Sequence, residues 1–342
     1  MIGRRALSLA FCILALGLLP PSAAGAAPPS HVYLILPFED SAPDGSRDWL
    51  QEAMALSLGD YVLGAGQKVV SREDRLAAMD ELDLPTGAPL TLATSLRLGK
   101  QLRSEGDTMV PDRLIVGKFS LDKGQLSMSA RVLRLDANGA QPWKEESGNL
   151  KDLLKLQKSL AHSVLKGDAV PVSNLASHAD NSDTGGSFPL VAYESYIRGL
   201  IDPAAAKQVT YFRKAIQLSP GYPKACFQLA RLLARAGKRA EAEGVLKGIT
   251  GEPDPFTAEY YALWGNLDLD AGRLSEAEDK ARRSVAARET AEAHVLLARI
   301  ARAHADPTKA LEELQRAETL DPDNPDVVPA RRQIQKDFPP RS

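Results

Sequence analysis

Gly272-Arg273-Leu274-Ser275-Glu276-Ala277 is one of three related segments in the C-terminal half of this chain. Its counterparts are Gly237-Lys238-Arg239-Ala240-Glu241-Ala242 and Ala305-Asp306-Pro307-Thr308-Lys309-Ala310. The last alanines of the three segments are 35 and 33 residues apart. A period of about 34 residues with two helical stripes per unit is typical of a solenoid built from helix-turn-helix units. The spacing therefore predicts an all-α helical-repeat solenoid over residues 189–342.

Small residues recur where the two helices of one unit must approach closely. Ala230, Gly265 and Ala298 fall on the first helix of successive units, and the three alanines named above fall on the second. Proline follows two of the second helices, in Leu218-Ser219-Pro220 and Leu320-Asp321-Pro322. Because proline has no amide hydrogen and clashes with the preceding turn, we expect those helices to end before it.

Trp264-Gly265-Asn266-Leu267, followed by Asp270-Ala271-Gly272-Arg273 and Glu276-Ala277, resembles the consensus of the tetratricopeptide repeats. Two positions depart from it: the turn of the first unit is shortened near Asp202-Pro203, and Cys226 stands where the family has a large aromatic residue. The resemblance implies a surface for protein partners. It also implies four units and a closing helix at about 326–337, the units being 190–222, 223–257, 258–290 and 291–324.

Residues 1–26 have the pattern of an export signal. Arg4 and Arg5 precede an apolar run over residues 6–19, and Ala24-Gly25-Ala26 offers small residues for a signal peptidase. An uncleaved anchor is the alternative, but the run is shorter than the roughly 20 residues that a spanning helix needs. We expect cleavage after Ala26, no stable membrane span afterwards, and a periplasmic or otherwise extracytoplasmic location in a bacterium.

The charge balance gives no support for nucleic-acid binding. The chain has 42 basic and 44 acidic residues, and loss of the two arginines in the signal leaves 40 against 44. A nucleic-acid-binding domain normally carries a basic excess.

Cys226 is the only cysteine after the signal, so no disulfide can form within the processed chain. Its place on an apolar helical face predicts a buried side chain and no reactive thiol.

Residues 27–167 are predicted to form an α/β sandwich domain. A strand is expected over residues 31–38 and a short one over 68–71, with Ser71 capping the helix that begins at Arg72. A helix is expected between those strands, because apolar residues recur there at helical spacing. Further helices are expected over residues 90–102 and 149–166. Residues 113–119 and 125–135 predict a hairpin, and its second strand alternates apolar with polar residues. One sheet layered with helices follows from this order.

Leu36-Pro37-Phe38-Glu39-Asp40 and Asp48-Trp49-Leu50 resemble the amino-terminal domain of the translocation protein TolB. Leu114-x2-Gly117 and Ser129-Ala130-Arg131-Val132-Leu133 fit the same family, which includes FlgO-like and CsgG-like envelope proteins. Residues 192–199 resemble the start of the repeat array in bacterial proteins that fuse the two modules. What the resemblance implies is an accessory module of the envelope and not an enzyme.

Residues 168–188 are rich in Ser, Asp, Asn and Gly and predict a flexible linker. A metal site at His178 and its neighbouring aspartates is the alternative, although solvated linkers often contain such clusters. Asp321, Asp323 and Asp326 suggest a calcium loop, but the turn glycine and the closing glutamate are absent.

The sequence offers little catalytic chemistry. It has no phosphate-binding glycine loop, no GxSxG elbow and no HExxH pair. Glu39, Asp40 and Asp44 follow the end of a strand, where α/β active sites often lie, but acidic loops are common there. We expect no catalytic residue, no cofactor and no metal.

The candidate site is a groove lined by the first helices of the repeats, as the resemblance implies. Arg231, Asn266 and Arg299 would share one level along it and could hold a partner's carboxylate by charge-assisted hydrogen bonds. The alternative is that Glu259, Asp270 and Glu292 neutralise these groups. The seven expected groove residues are Lys224, Phe227, Arg231, Arg235, Asn266, Arg299 and Arg302.

The sequence thus predicts a non-enzymatic scaffold or adaptor of the bacterial envelope that binds protein or peptide segments, acidic ones among them, in the concave face of its repeats. The alternative is an accessory component of an envelope secretion or motility apparatus that self-assembles through the α/β domain.

Overall fold

The computed structural model describes residues 30–42, 47–84, 90–104, 110–135, 139–172, 189–251, 256–322 and 324–339. The expected export signal and most of the expected linker, including His178, lie outside these ranges. Among the described residues, no helix is both long and apolar enough to cross a membrane.

The N-terminal region contains a mixed sheet. Its main path runs β3-β1-β4-β5-β6, while β2 pairs with β4 and β7 pairs with β5. Strands β1, β2 and β3 make parallel pairings, and the β4–β5 hairpin pairs Arg113 with Arg134 through to Asp122 with Gln125. The strands are β1 Val32–Ile35, β2 Glu39–Asp40, β3 Lys68–Val69, β4 Arg113–Asp122, β5 Gln125–Arg134, β6 Gly139–Ala140 and β7 Lys144–Asn149.

Helices cover both faces of this sheet. Tyr33 and Ile35 of β1 pack with α1 and α4, whereas Leu34 and Leu36 pack with α2 and α3. This two-sided burial explains why β1 is continuously apolar. The predicted single sheet layered with helices is therefore present in outline, as a mixed sheet between two helical layers. The helices are α1 Asp48–Gly64, α2 Arg72–Glu81, α3 Leu92–Ser104 and α4 Leu153–Gly167, the last preceded by a 3-10 turn at Leu150–Asp152.

The predicted hairpin is confirmed, and it is longer than expected in its first strand. Leu126, Met128, Ala130 and Val132 alternate as predicted, and each is at most 2% exposed. Ser71 caps α2, since its Oγ accepts a hydrogen bond from the Asp74 amide over 3.0 Å. Strand β7 was not expected. Its sequence is polar, Lys-Glu-Glu-Ser-Gly-Asn, because it lies at an edge of the sheet with alternate side chains in water.

The first residues after α4 pack against the α/β region instead of leaving it. The Asp168 carboxylate is fully buried, and it accepts hydrogen bonds from the Tyr33 hydroxyl at 2.6 Å and the Arg113 Nε at 3.1 Å. The Gln141 amide donates to the same carboxylate over 2.8 Å. Residues 168–172 of the expected linker are thus adjacent to the sheet. Residues 173–188 lie outside the described ranges.

The C-terminal region consists of four antiparallel helical pairs and a closing helix, as predicted. Each pair begins where a repeat unit was expected, and α6 and α12 end two residues before Pro220 and Pro322. The first helices are α5 Leu190–Ile201, α7 Pro223–Arg235, α9 Thr257–Asp270 and α11 Ala291–Ala303. The second helices and the closing helix are α6 Ala205–Leu218, α8 Arg239–Lys247, α10 Leu274–Ala287, α12 Pro307–Leu320 and α13 Val327–Asp337.

Small residues allow neighbouring helices to approach closely, both within a unit and between successive units. A β-carbon added to Gly265 on α9 would lie 2.5 Å from Leu296 Cδ2 on α11 and 3.1 Å from Lys280 Cβ on α10. Ala230, Ala298 and the second-helix alanines are fully buried. The contact with α10 is the one predicted within the unit, whereas the shorter contact, with α11, joins this unit to the next.

The two regions share one continuous apolar core. Helix α1 packs on α5, where Trp49 meets the Tyr193 ring edge-to-face with centroids 6.4 Å apart. The Tyr193 hydroxyl donates a hydrogen bond to the carbonyl of Ala53 over 3.3 Å. The α/β region therefore lies against the first helices of the array.

Candidate functional site

The first helices α5, α7, α9 and α11 form one side of the array, which we call the inner face. Helix α9 contacts both α7 and α11 along this face. All seven residues expected to line a groove lie on α7, α9 or α11. Their surroundings differ along the array, because the α/β region covers only its beginning.

At the beginning of α7, two of the expected groove residues are covered by the chain itself. The Lys224 ammonium lies 2.6 Å from Asp60 Oδ2 on α1. Phe227 is 2% exposed and stacks on Phe256, with ring centroids 5.8 Å apart. The expected open groove is therefore corrected for these two positions: they belong to the contact between the regions and the core beneath it.

Further along α7, Arg231 and Arg235 line a cleft between the array and the α/β region. Burial, followed by the nearby positive charge of Arg235, lowers the pKa of Arg231. The Arg231 guanidinium lies 5.9 Å from the centroid of the Phe227 ring. These two arginines therefore face α1 and α2 as well as the array.

Asn266 and Arg299 are brought together as expected. The Arg299 guanidinium donates hydrogen bonds to Asn266 Oδ1 and to Asp270 Oδ1. Asp270 also accepts a 2.8 Å bond from Arg239 Nε, so it joins two cations. Arg231 takes no part in this network. Arg231, Asn266 and Arg299 were expected to share one level of the groove. This holds for Asn266 and Arg299, which are directly hydrogen-bonded, and not for Arg231.

Arg302, at the end of α11, is paired with the closing helix. Its guanidinium donates to Asp337 Oδ2, and Gln333 Nε2 donates to the other oxygen of the same carboxylate over 3.0 Å. Hydrogen bonds from Arg302 and then Gln333 lower the pKa of Asp337. No local pattern indicates this pair, because its two residues are 35 positions apart and only the docking of α13 joins them.

Two acids lie on the same inner face. Arg288 donates a hydrogen bond to Glu259 Oε1, whereas Glu259 Oε2 is buried without a hydrogen-bond partner. Burial raises the pKa of Glu292, and the negative charges of Glu259 and Asp321 raise it further. The inner face at α9 and α11 is therefore a band of mixed charge, in which the expected cations already have acidic neighbours.

The other chemically interesting residues have structural environments. Asp40 is 8% exposed, and its Oδ1 accepts a hydrogen bond from the Ala42 amide over 2.9 Å. His294 Nδ1 lies 2.7 Å from Glu313 Oε2 in a buried contact between α11 and α12. Burial raises the pKa of the Cys226 thiol to about 11. Within the described ranges, no three His, Cys, Asp or Glu side chains are grouped as metal ligands.

Comparison with known proteins concerns mainly the repeat region. Residues 202–267 match the family model for the tetratricopeptide repeat. No curated protein matches the chain.

Several solved structures are similar at low identity. MamA is 17% identical over 39% of this chain and 77% of its own, with a TM-score of 0.31. YrrB, described as a TPR protein with an unusual peptide-binding site, is 18% identical over 54% of this chain and 89% of its own, with a TM-score of 0.34. The C-terminal domain of LpoB from Salmonella enterica is 10% identical over 35% of this chain and 83% of its own, with a TM-score of 0.28.

The family model covers the second helix of the first pair, the whole second pair and most of α9. The described helices continue with the same pairing and the same spacing to α12. The described C-terminal region is therefore a helical repeat array, of which residues 202–267 match the tetratricopeptide-repeat model.

Proposed function

We propose that this chain is a non-enzymatic protein-interaction scaffold of the bacterial envelope, and that its partner binds the inner face at α9 and α11. Proteins built from this repeat are generally scaffolds, and no catalytic family matches the chain. The observation that carries the proposal is the division of the inner face. The α/β region covers its beginning, whereas Arg299 and Arg302 remain 29% and 31% exposed at its other end.

The charge pattern of this open part supports a polar partner segment. Arg299 and Arg302 are bonded to Asp270 and Asp337, which are themselves about as exposed as their partners. Exposed ion pairs contribute little to stability, so a partner's carboxylate can exchange with Asp270 or Asp337 at small cost. A partner segment with acidic side chains is therefore the chemistry proposed for this face.

The experiment is a charge reversal on the open face of the full chain. Arg299→Glu combined with Arg302→Glu should abolish recovery of a partner in quantitative affinity capture from envelope fractions. Arg282→Glu, at a 73% exposed position on α10, is the matched control and should leave recovery unchanged. Equal partner recovery by both variants, with unchanged circular dichroism, would exclude this face as the binding surface.

Export is a separate part of the proposal, supported by the pattern of residues 1–26 and by the envelope-protein resemblance of the α/β region. Cell fractionation tests it, and recovery of the mature chain with Ala27 at its start in the periplasm is the expected result. Light scattering separates the scaffold from the self-assembling alternative: a monomer supports the scaffold, and a closed multimer supports the alternative.

A further inference from the structure

A cleft of about 420 Å³ separates the α/β region from the first two helical pairs. One wall is formed by α1 and the beginning of α2, and the other by α5 and α7. Its volume lies in the range of sites that bind small organic molecules. The cleft belongs to neither region alone, because each region supplies one of its walls.

Positive charge predominates in this cleft. Among its described lining residues, the arginines are Arg72, Arg75, Arg231 and Arg235, whereas the acids are Asp60 and Glu73. Asp60 is already paired with Lys224. The formal excess along the walls is therefore two positive charges.

The two arginines on α2 already have carboxylate partners. Arg75 is 4% exposed, and its Nη2 donates to both oxygens of Glu52 over 2.7 Å. Arg72 Nε lies 3.6 Å from the same carboxylate, beyond hydrogen-bond distance. These two side chains build the floor of the cleft and are not its free cations.

The two arginines on α7 have no such partner. Across the described parts of the chain, Arg231 and Arg235 form no ion pair with a carboxylate, and Arg231 Nε is buried without a hydrogen bond. The Arg231 guanidinium lies 5.9 Å from the centroid of the Phe227 ring, on its own helix. A guanidinium removed from water normally acquires an anion or an acceptor, because burying it uncompensated is costly.

The remaining lining combines apolar side chains with a few neutral polar ones, among them Ser57, Ser71 and Gln228. Leu63 of α1, Ile197 and Leu200 of α5, and Phe256 lie along its walls. A ligand that fills this volume therefore needs an apolar body together with an anionic end that reaches α7. The acids Asp60 and Glu73 on the opposite wall disfavour a ligand of higher negative charge.

We propose that the cleft between α1, α5 and α7 binds a monocarboxylate carried on an apolar body, with Arg231 and Arg235 holding the carboxylate. The planar fork of a guanidinium matches the two oxygens of a carboxylate, and such charge-assisted bonds are among the stronger ones. The ligand is a small organic acid or the C-terminal residue of a peptide, which share this chemistry. The site goes beyond the proposed scaffold function, since it lies away from the open end of the inner face.

The test uses the full chain and isothermal titration with 3-phenylpropanoate as the probe. We expect saturable binding that is at least about tenfold tighter than that of the matching primary amide, which lacks the charge. A short peptide ending in phenylalanine, as free acid and as amide, separates the two sources of the ligand. Inorganic phosphate is a third arm and should not compete.

Variants locate the binding. Arg231→Gln should weaken 3-phenylpropanoate at least about tenfold, and Arg235→Gln, at the exposed end of the cleft, should weaken it by a smaller factor. Arg282→Gln on α10 is the matched control and should bind like the wild type. If Arg231→Gln proves unstable by thermal unfolding, the affinity of Arg235→Gln for 3-phenylpropanoate serves as the test of the site.

Any of four results would overturn the site: equal affinities for acid and amide, wild-type binding by a folded Arg231→Gln variant, wild-type binding by Arg235→Gln, or competition by phosphate at the same concentration. None of them depends on capture of a protein partner by Arg299 and Arg302. Loss of the carboxylate site and loss of the scaffold function are therefore distinguishable.

Discussion

The ammonium of Lys224, at the start of the second repeat unit, lies 2.6 Å from the carboxylate of Asp60 on the first helix of the α/β region. Burial raises the pKa of Asp60, and the charge and hydrogen bond of Lys224 oppose that increase. The two side chains are 11% and 16% exposed, so water screens the pair only in part. This contact joins the two regions at the beginning of the inner face.

Removing one partner of this pair should destabilise the chain. Lys224→Met is expected to lower the free energy of unfolding by about 2 kcal/mol, because it leaves the Asp60 carboxylate buried without compensation. Adding Asp60→Asn should restore most of the loss. Urea unfolding of the two single variants and the double variant gives the coupling energy. A coupling near zero would show that the pair does not hold the regions together.

Glu292 gives a pH-dependent prediction. Its pKa in the folded chain lies above the ordinary 4.5, because of burial and the nearby negative charges of Glu259 and Asp321. The folded state therefore binds the proton more tightly than the unfolded state, and stability falls as pH rises from 4.5 through the folded pKa.

Glu292→Gln removes this ionisation and should raise the melting temperature at pH 7 to 8. The gain should fade as pH falls toward 4.5, where the native glutamate is protonated as well. Glu312→Gln, at an exposed position on α12, is the control and should change little at any pH. A Glu292→Gln gain that grew on acidification would contradict the sign of this shift.

Gly265 tests the close packing of α9 against α11 of the next unit and α10 of its own unit. Gly265→Val should lower the free energy of unfolding by about 2 to 3 kcal/mol, because its β-carbon would overlap Leu296 and crowd Lys280. Gly244 on α8 has no atom within 4 Å of an added β-carbon. Gly244→Val should therefore be neutral or slightly stabilising, since valine favours a helix more than glycine does. Equal effects of the two substitutions would refute the packing argument.

Asp168 tests the closure of the α/β region. Asp168→Ala should cost about 3 kcal/mol or more, because it leaves the buried Arg113 charge and the Tyr33 hydroxyl without their acceptor. Burial and the hydrogen bond to Asp168 raise the pKa of Tyr33, so the hydroxyl stays a donor at neutral pH. Asp80→Ala, an exposed position on α2, should be near neutral in the same urea titration. Comparable losses would show that Asp168 has no special role.

Features encoded within short stretches were predictable from the sequence. The repeat spacing indicated the four helical pairs, the alternation in residues 126–132 indicated the face of β5, and Ser71 was recognisable as a helix cap. Each of these depends on residues a few positions apart, whose geometry is set by the period of a helix or a strand.

Features created by docking were not predictable in the same way. Strand β7 has a polar sequence because it lies at a sheet edge, and Asp168 sits in a segment whose composition resembles a linker. Lys224 was assigned to an open groove, as the family's register implies. Nothing local in the sequence indicates that α1 lies against α7, since Asp60 and Lys224 are 164 positions apart.

The central claim is that the inner face is divided, with its beginning covered by the α/β region and its end open to a partner. Photocrosslinking in living cells tests this most directly, with a photoreactive residue at position 224, at the exposed Ala303 on α11, or at Arg282 on the second helix α10. We predict crosslinks to a partner protein from position 303, crosslinks only within the chain from position 224, and neither from position 282. Partner crosslinks from position 224, or equal partner yields from positions 282 and 303, would contradict the account.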